Sequence, residues 1–315
     1  MNIPFFSVVI PLYNKEKYIT NAINSILNQD FNDFEIIIVN DGSTDNSLEQ
    51  IKSLLSDKVR LIEHNKNKGL SAARNTGIKN AKANYIAFLD ADDLWLHGYL
   101  SAIKNLINLY SEAKIFATSS NDVYPNKTYK TYNSINNVPK NYIGIVDYFK
   151  ENLKQGLYTA CSVCYHKTVF ESIGYFDQNL TFSEEIDFNI RVNLKFKLAY
   201  DSKVYVNYFM EIEGQLSSNN ILNKVVPNYD EYDKYCESNL YLKKYLDFER
   251  YVLAKHLKVD GDKIKHQLII SKIDFKNLNY KQQLLLKFPT YILRIIRFSK
   301  KFLARKGFKL TSYDS

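Results

Sequence analysis

The sequence predicts an α/β fold, a mostly parallel sheet flanked by helices with a helical C-terminal extension. Three observations carry that expectation. Short apolar runs alternate with helix-period stretches through about the first 120 residues. Polar and acidic residues collect just past the ends of those runs. Beyond about residue 215 the alternation stops and the chain turns helical and lysine-rich. Parallel strands need long crossover connections, so alternation at this pitch favours a parallel sheet covered on both faces.

In order, strands are read at 7–13 (SVVIPLY), 34–41 (FEIIIVND), 59–64 (VRLIEH), 85–90 (YIAFLD) and 115–120 (IFATSS). Most are rich in Ile, Val, Phe or Tyr and bounded by polar or turn residues. Helices fall between them at 15–29, 45–57, 70–82 and 96–110. In the first, Tyr18, Ala22 and Ile26, with Ile23 and Leu27, follow i, i+4 spacing. Residues 121–156 read as a long loop with a short helix near 146–153. A strand-like run at 158–166 (YTACSVCYH) leads into TVFESIGYFDQNL and a helix at 184–195. By pattern the chain divides into 1–215, which carries the strand-end motifs, and 216–315, a helical region ending in a basic amphipathic helix.

A hydrophobic share of 45% and a charged share of 24% are ordinary globular values and exclude wholesale disorder. The apolar start MNIPFFSVVIPLY lacks a basic leader and is broken by Pro4 and Pro11, so it reads as a buried strand and not a signal peptide. No uncharged apolar run approaches the roughly 18 residues of a membrane span. Three cysteines, Cys161, Cys164 and Cys236, without a secretion signal point to a reducing cytoplasm. Cys161 and Cys164, near His166, have no second pair for zinc. On a strand they would face opposite ways, which favours a structural role.

The net charge of +8 is concentrated at the C-terminal end. Lys287, Arg294, Arg297, Lys300, Lys301, Arg305, Lys306 and Lys309 lie in a segment without acids. At 100° per residue Arg294, Arg297, Lys301 and Arg305 share one arc, opposite Ile292, Ile295, Ile296, Phe302 and Leu303. Such a helix either lies on an anionic membrane surface or docks its apolar side on the domain with its cations in water. No nucleic-acid module accompanies the basic charge.

Four strand-end motifs carry the chemistry: PLYNKEKYI (11–19), VNDGSTDNS (39–47), NKGLSAARN (67–75) and IAFLDADDLW (86–95). In the second, Asp45 is placed to cap the next helix and Gly42 permits an unusual backbone angle. Taken singly, the plain structural alternatives are an ordinary turn residue for Asp41 and a surface helix residue for Arg74. The last motif crowds Asp90, Asp92 and Asp93 into four positions. Like charges repel and lose hydration when enclosed, so the cluster is either fully solvated or meant for a cation. No Gly-rich phosphate cradle of the G-x-G-x-x-G or Walker type is present. Asp93 reads as a support for its neighbours or a cap for a helix starting near Leu94. Trp95 either packs in the core or walls a cleft.

In this order and spacing the motifs resemble the nucleotide-sugar domain of glycosyltransferase family 2, over roughly residues 5–215. LDADD looks like the family's D-x-D element and VNDGSTD like its uridine-side element. IGYFDQNLTFSEEIDFNIR is similar to the family's G-x-F-D-E-x-L segment followed by E-D-x-D-x-x-x-R. The resemblance implies the Rossmann-like GT-A fold and an inverting transfer from a UDP-sugar to a hydroxyl, in surface polysaccharide or lipid-linked oligosaccharide synthesis. It implies Mn²⁺ or Mg²⁺ held by Asp92 and Asp90, and Pro11, Tyr13, Asp41, Arg74 and Asp90 around the nucleotide. Asp41 would accept the N3–H of uracil, Tyr13 would line the base pocket, and the backbone at Pro11 and Leu12 would reach the base edge. The proton acceptor would be Glu185, with Glu184 the competing candidate, and Asp187 with Arg191 would form an ion pair.

The chain departs from the family pattern twice. Glu185 stands where the family has aspartate, extending the reach by more than ~1 Å. Tyr208, Phe209, Met210 and Glu211 stand where relatives often place a His or Arg near the diphosphate. The expected partners are a UDP-sugar and a glycan or lipid-linked acceptor, met in the cytoplasm or peripherally on the inner face of the cell membrane. The rival readings are a sugar-nucleotide pyrophosphorylase and a non-catalytic nucleotide-sugar-binding or scaffold protein. The first wants a Gly-rich basic loop after the first strand, and PLYNKEKY has no glycine. Retention of Asp41, Asp90, Asp92 and Glu185 stands against the second.

Overall fold

In the computed structural model, which describes residues 3–125, 129–131, 141–153, 156–212 and 220–306, one mixed sheet organises the chain. Its strands are β1 (Phe6–Leu12), β2 (Phe34–Asn40), β3 (Val59–Glu63), β4 (Tyr85–Phe88), β5 (Leu94–Trp95), β6 (Ile115–Val123), β7 (Tyr129–Thr131), β8 (Ile143–Val146), β9 (Val163–His166) and β10 (Leu198–Phe209). The order is β3-β2-β1-β4-β9-β6-β10-β5, with β7 on β6 and β8 on β10. The run β3-β2-β1-β4 is parallel, as alternation predicts, and β6 and β10 are parallel to each other. Strand β9 runs antiparallel between β4 and β6 and joins the two halves.

Every residue of β1 and β2 is buried, the signature of a sheet covered on both faces. Alternate side chains split between two cores. Val8, Ile10, Ile36 and Ile38 meet α1 (Ile19–Leu27) and α4 (Tyr99–Leu109) through Ile23, Ile26, Leu100 and Ile103. Val9, Ile37 and Val39 face α3 (Leu70–Asn80), the site helix α7 (Glu184–Asn193) and the long α8 (Leu240–Asp260). Leu242, Tyr245, Leu246, Leu253 and Leu257 of α8 share that second core, so one apolar cluster runs across the 215/216 division.

Several local expectations change. The residues after Asp93 pair with β10 as β5, because Leu94 and Trp95 find Asn207 and Val206 across the sheet edge. Asp93 therefore caps no helix, and α4 starts only at Tyr99. Trp95 is core: it donates Nε1 to the Cys161 carbonyl at 2.8 Å and its ring lies 4.1 Å from that of Tyr99. Residues 160–162 form a 3₁₀ turn, which cancels strand alternation. Cys161 and Cys164 thus enter the same core as free thiols, and do not point to opposite faces. The stretch read as a loop with a short helix holds that helix as α5 (Tyr148–Asn152) and, beyond expectation, the end of β6, β7 and β8; residues 126–128, 132–140 and 154–155 of it lie outside the described residues. Among the described residues, no helix is long and apolar enough to cross a membrane.

Candidate active site

The carboxyl ends of β1, β2 and β4 open on one side, and the first two loops are laced together there. Asn14, in the left-handed region at φ 50°, donates its N–H to Ser43 Oγ and its amide to Thr44 Oγ1. Thr44 N–H returns to Asn14 Oδ1 at 2.8 Å, and Lys15 N–H reaches Ser47 Oγ at 2.9 Å. Asp45 accepts from Glu16 N–H and from Ser47 N–H just before α2 (Ser47–Ile51), whose cap position is Asn46, so Asp45 braces the helix start and is not its cap as expected. These bonds hold its carboxyl below the usual range against the effect of burial. Gly42 has φ 74°, and a Cβ there would meet the Asn67 backbone nitrogen at 2.7 Å, so no other residue fits without movement.

Asp41 is buried under the third motif. Its Oδ1 accepts from Lys68 N–H at 2.9 Å and meets His64 Nδ1 at 2.6 Å, and its Oδ2 accepts from Gly69 N–H at 2.8 Å. The far ring nitrogen of His64 lies 2.9 Å from Thr76 Oγ1 on α3. Asp41 thereby fixes the turn that launches α3. Pro11 and Leu12 end β1 in buried positions, with the Leu12 carbonyl accepting Asp41 N–H, while Tyr13 is exposed at the lip.

Arg74 is not a surface residue; it is fully buried on α3. Its Nη2 lies 3.1 Å from Asp90 Oδ1 and 2.8 Å from Glu185 Oε1, and its Nη1 lies 3.8 Å from Glu184 Oε1. One cation thus gathers acids from the end of β4 and the first turn of α7, about 100 residues apart in sequence. Next along α3, Asn75 exchanges two hydrogen bonds with the backbone of Phe176, fixing the GYFD segment under the guanidinium. Burial, helped by Glu184 and Asp90 and opposed by Arg74, pushes the Glu185 carboxyl up to about 6. It remains 35% exposed, open to a second reactant. Asp187 and Arg191 form the expected i, i+4 pair at 2.8 Å, and Tyr232 donates to Asp187 from the C-terminal region.

The three crowded aspartates take different partners. Asp90 faces Arg74. Asp92 Oδ2 meets Lys15 Nζ at 2.8 Å, a contact across 77 positions that no local pattern announces. Burial and Asp90 push Asp92 up, and Lys15 opposes them. Asp93 is a structural clamp, accepting from Phe209 N–H and from the Cys161 thiol, each at 2.8 Å. Asp90, Asp93 and Cys161 offer donor atoms within 4.8 Å of one another. Burial and those two acids push the Cys161 thiol well up, so it is an S–H donor and no ligand for a hard cation. Of this group the carboxylate oxygens of Asp90 and Asp93 are the ones of a kind suited to such an ion, and Lys15 sets a positive charge against the neighbouring Asp92. Tyr208 was noted in the sequence only for the missing base; its phenol is pushed up by burial and by Asp93, Glu185 and Asp90 around it.

The family model described as Glycosyl transferase family 2 matches residues 7–174. An uncharacterized glycosyltransferase of Rickettsia bellii is 48% identical over 94 residues, 30% of this chain and 14% of that protein. A second, from Rickettsia prowazekii, is 27% identical over 230 residues, 73% of this chain and 70% of that one. The crystal structure of S. aureus TarS 1-349 in complex with UDP-GlcNAc matches with a TM-score of 0.61 at 19% identity, covering 96% of this chain and 92% of that one. At that identity the likeness is one of fold.

Proposed function

The chain belongs to glycosyl transferase family 2, and from that premise we propose that it transfers a sugar from a UDP-sugar to an acceptor hydroxyl with inversion. The observation that carries this reading is the convergence of Asp90, Glu184 and Glu185 on the buried Arg74, beside Asp92. The UDP-GlcNAc named for the TarS structure supports a uridine diphosphate donor. The acceptor is a hydroxyl of a glycan or lipid-linked saccharide, reached by a protein peripheral to the inner face of the membrane.

Each residue then has a task. Asp41 has two donors on Oδ1 and one on Oδ2, which leaves a lone pair of Oδ2 for the N3–H of uracil. Tyr13 flanks the base and the end of β1 at Pro11 and Leu12 underlies it. Arg74 holds Asp90 in place, and its Nε and Nη1, buried without a hydrogen-bond partner among the described residues, are donors in reserve for the nucleotide. Asp92 and Asp90 would hold Mn²⁺ or Mg²⁺, which when bound supplies positive charge to the departing diphosphate. Lys15 neutralises Asp92 in the free protein and, freed by the metal, is a cation that would face the diphosphate. Glu185 takes the acceptor proton while the acceptor oxygen bonds to the anomeric carbon; the bond from that carbon to the phosphate oxygen breaks and UDP leaves with its electron pair.

Screening UDP- and GDP-sugars for slow metal-dependent hydrolysis tests this without knowledge of the acceptor. A UDP-sugar should be consumed; turnover of GDP-sugars alone would overturn the donor assignment. Calorimetry should show UDP binding with Mn²⁺ that weakens by at least about tenfold with chelator, the fall that losing one charge-neutralising contact of about 1.4 kcal/mol gives. Asp92→Asn should lose most of the metal-dependent part. Equal binding with and without chelator would remove the ion from the reaction.

A further inference from the structure

The C-terminal helix α11 (Thr290–Arg305) turns an apolar stripe away from the protein. Tyr291, Ile295, Phe298 and Phe302 are exposed to 65%, 62%, 75% and 55%. Their spacing of i, i+4, i+7 and i+11 makes one continuous line along the helix. Of the two arrangements the sequence left open, docking with the apolar side inward is adopted only in part, because Ile295 and Phe302 of that side stay exposed. Leu293 is covered, and Ile292 and Ile296 are only half-buried. Arg294 instead donates to the Val259 carbonyl at 3.1 Å, and Arg297 pairs with Asp260 at 3.5 Å. A contiguous apolar line of this kind marks an interaction surface.

Charge identifies what the surface meets. Lys300 of α11 stands against Lys255 of α8 and Arg297 against His256, and Asp260 is the acid paired with Arg297. Burial first, then Lys300, lowers Lys255 to about 8, so the seam between the helices carries crowded cations. A cleft of about 390 Å³ at this seam is lined by Asn220, Val259, Asp260, Arg294, Arg297 and Phe298. At the far end Lys306 Nζ lies 5.9 Å from the centre of the Phe302 ring. Aromatic and aliphatic side chains flanked by cations, on a segment with no acid from 287 to 309, match a surface that is apolar beneath and anionic above.

We propose that α11 lies in the headgroup layer of a bilayer containing anionic phospholipid, with Tyr291, Ile295, Phe298 and Phe302 directed into the acyl boundary and the exposed Arg294 and Lys306, which flank that line, against phosphates. This gives a residue-level form to the peripheral membrane reading above and rests on it. It also sets which side of the protein faces the bilayer.

The test is sedimentation of the full chain with phosphatidylcholine vesicles, with and without phosphatidylglycerol. Binding should require phosphatidylglycerol and fall as salt rises. The double substitution Phe298→Asp and Phe302→Asp, at exposed positions that take no part in the Arg74 cluster, should lower the partition coefficient by at least about tenfold. Its melting curve and its hydrolysis of UDP-sugar in vesicle-free solution should stay those of the parent. Undiminished binding by the double variant would overturn the proposal. So would a parent that self-associates through the stripe and loses that association in the variant, since a second copy would then cover it. A parent that binds vesicles but hydrolyses no UDP-sugar would sink the sugar-transfer reading and leave this one standing.

Discussion

Glu185→Gln should lower sugar transfer by about a hundred- to ten-thousand-fold while UDP binding stays near that of the parent, the range expected when one positioned proton acceptor is lost. Glutamine keeps the shape of the side chain and its hydrogen bond to Arg74, so the loss falls on proton transfer. Burial and neighbouring acids raise this carboxyl to about 6, which also fixes a pH signature. The ionised form is the active one, so kcat/KM should fall as pH drops through about 6, and the variant's residual rate should lose that limb. The linkage runs the other way for stability. A carboxyl raised on folding holds its proton more tightly in the native state, so its contribution declines as pH rises from the unfolded value near 4.5 to about 6. Glutamine at 185 should therefore be at least as stable as the parent at neutral pH. If Glu184→Gln removes transfer and Glu185→Gln does not, the assignment passes to Glu184.

Arg74→Met should be the most destabilising single change in the site. It keeps the bulk of the side chain but strands Asp90, Glu184 and Glu185 around an uncharged centre. Breaking a buried ion cluster from one side costs on the order of 3–5 kcal/mol, because the remaining charges stay enclosed without compensation. For a chain of this size that is a fall of about 10 °C in Tm. Adding Glu184→Gln and Glu185→Gln to the variant should recover much of the loss without recovering transfer. An Arg74→Met protein that melts and transfers like the parent would show that the convergence of acids is incidental. The triple variant separates this outcome from a simple failure to fold.

What the sequence made legible was local. Runs such as FEIIIVN and SVVIPL announce buried parallel strands because both faces are covered and all positions but Ser7, Glu35 and Asn40 are apolar. The strand-end acids are legible because turn residues and helix starts bracket them. What stayed hidden depends on contacts between distant positions. Nothing near Lys15 reports that its ammonium reaches Asp92, and nothing near Arg74 reports that its helix lies beneath the acids of α7. Two-residue β5 lies below any periodicity, and its pairing with Val206 and Asn207 turned an expected helix cap into a clamp on Phe209. The direction of β9 is likewise set by what flanks it, β4 and β6. On α11 a wheel separates cations from apolar residues but does not say which arc meets α8; Leu293, Arg294 and Arg297 decide that in three dimensions.

The interlocked loops at Asn14 and Thr44, and at Glu16 and Asn46, bear on how a ligand is received. Groups already immobilised surrender little configurational freedom on association, so the intrinsic grip of this floor reaches the measured affinity with little entropic penalty. Cutting the lacing with Asn14→Ala would leave every nucleotide-facing group intact. The loss would register mainly as a less favourable entropy of association.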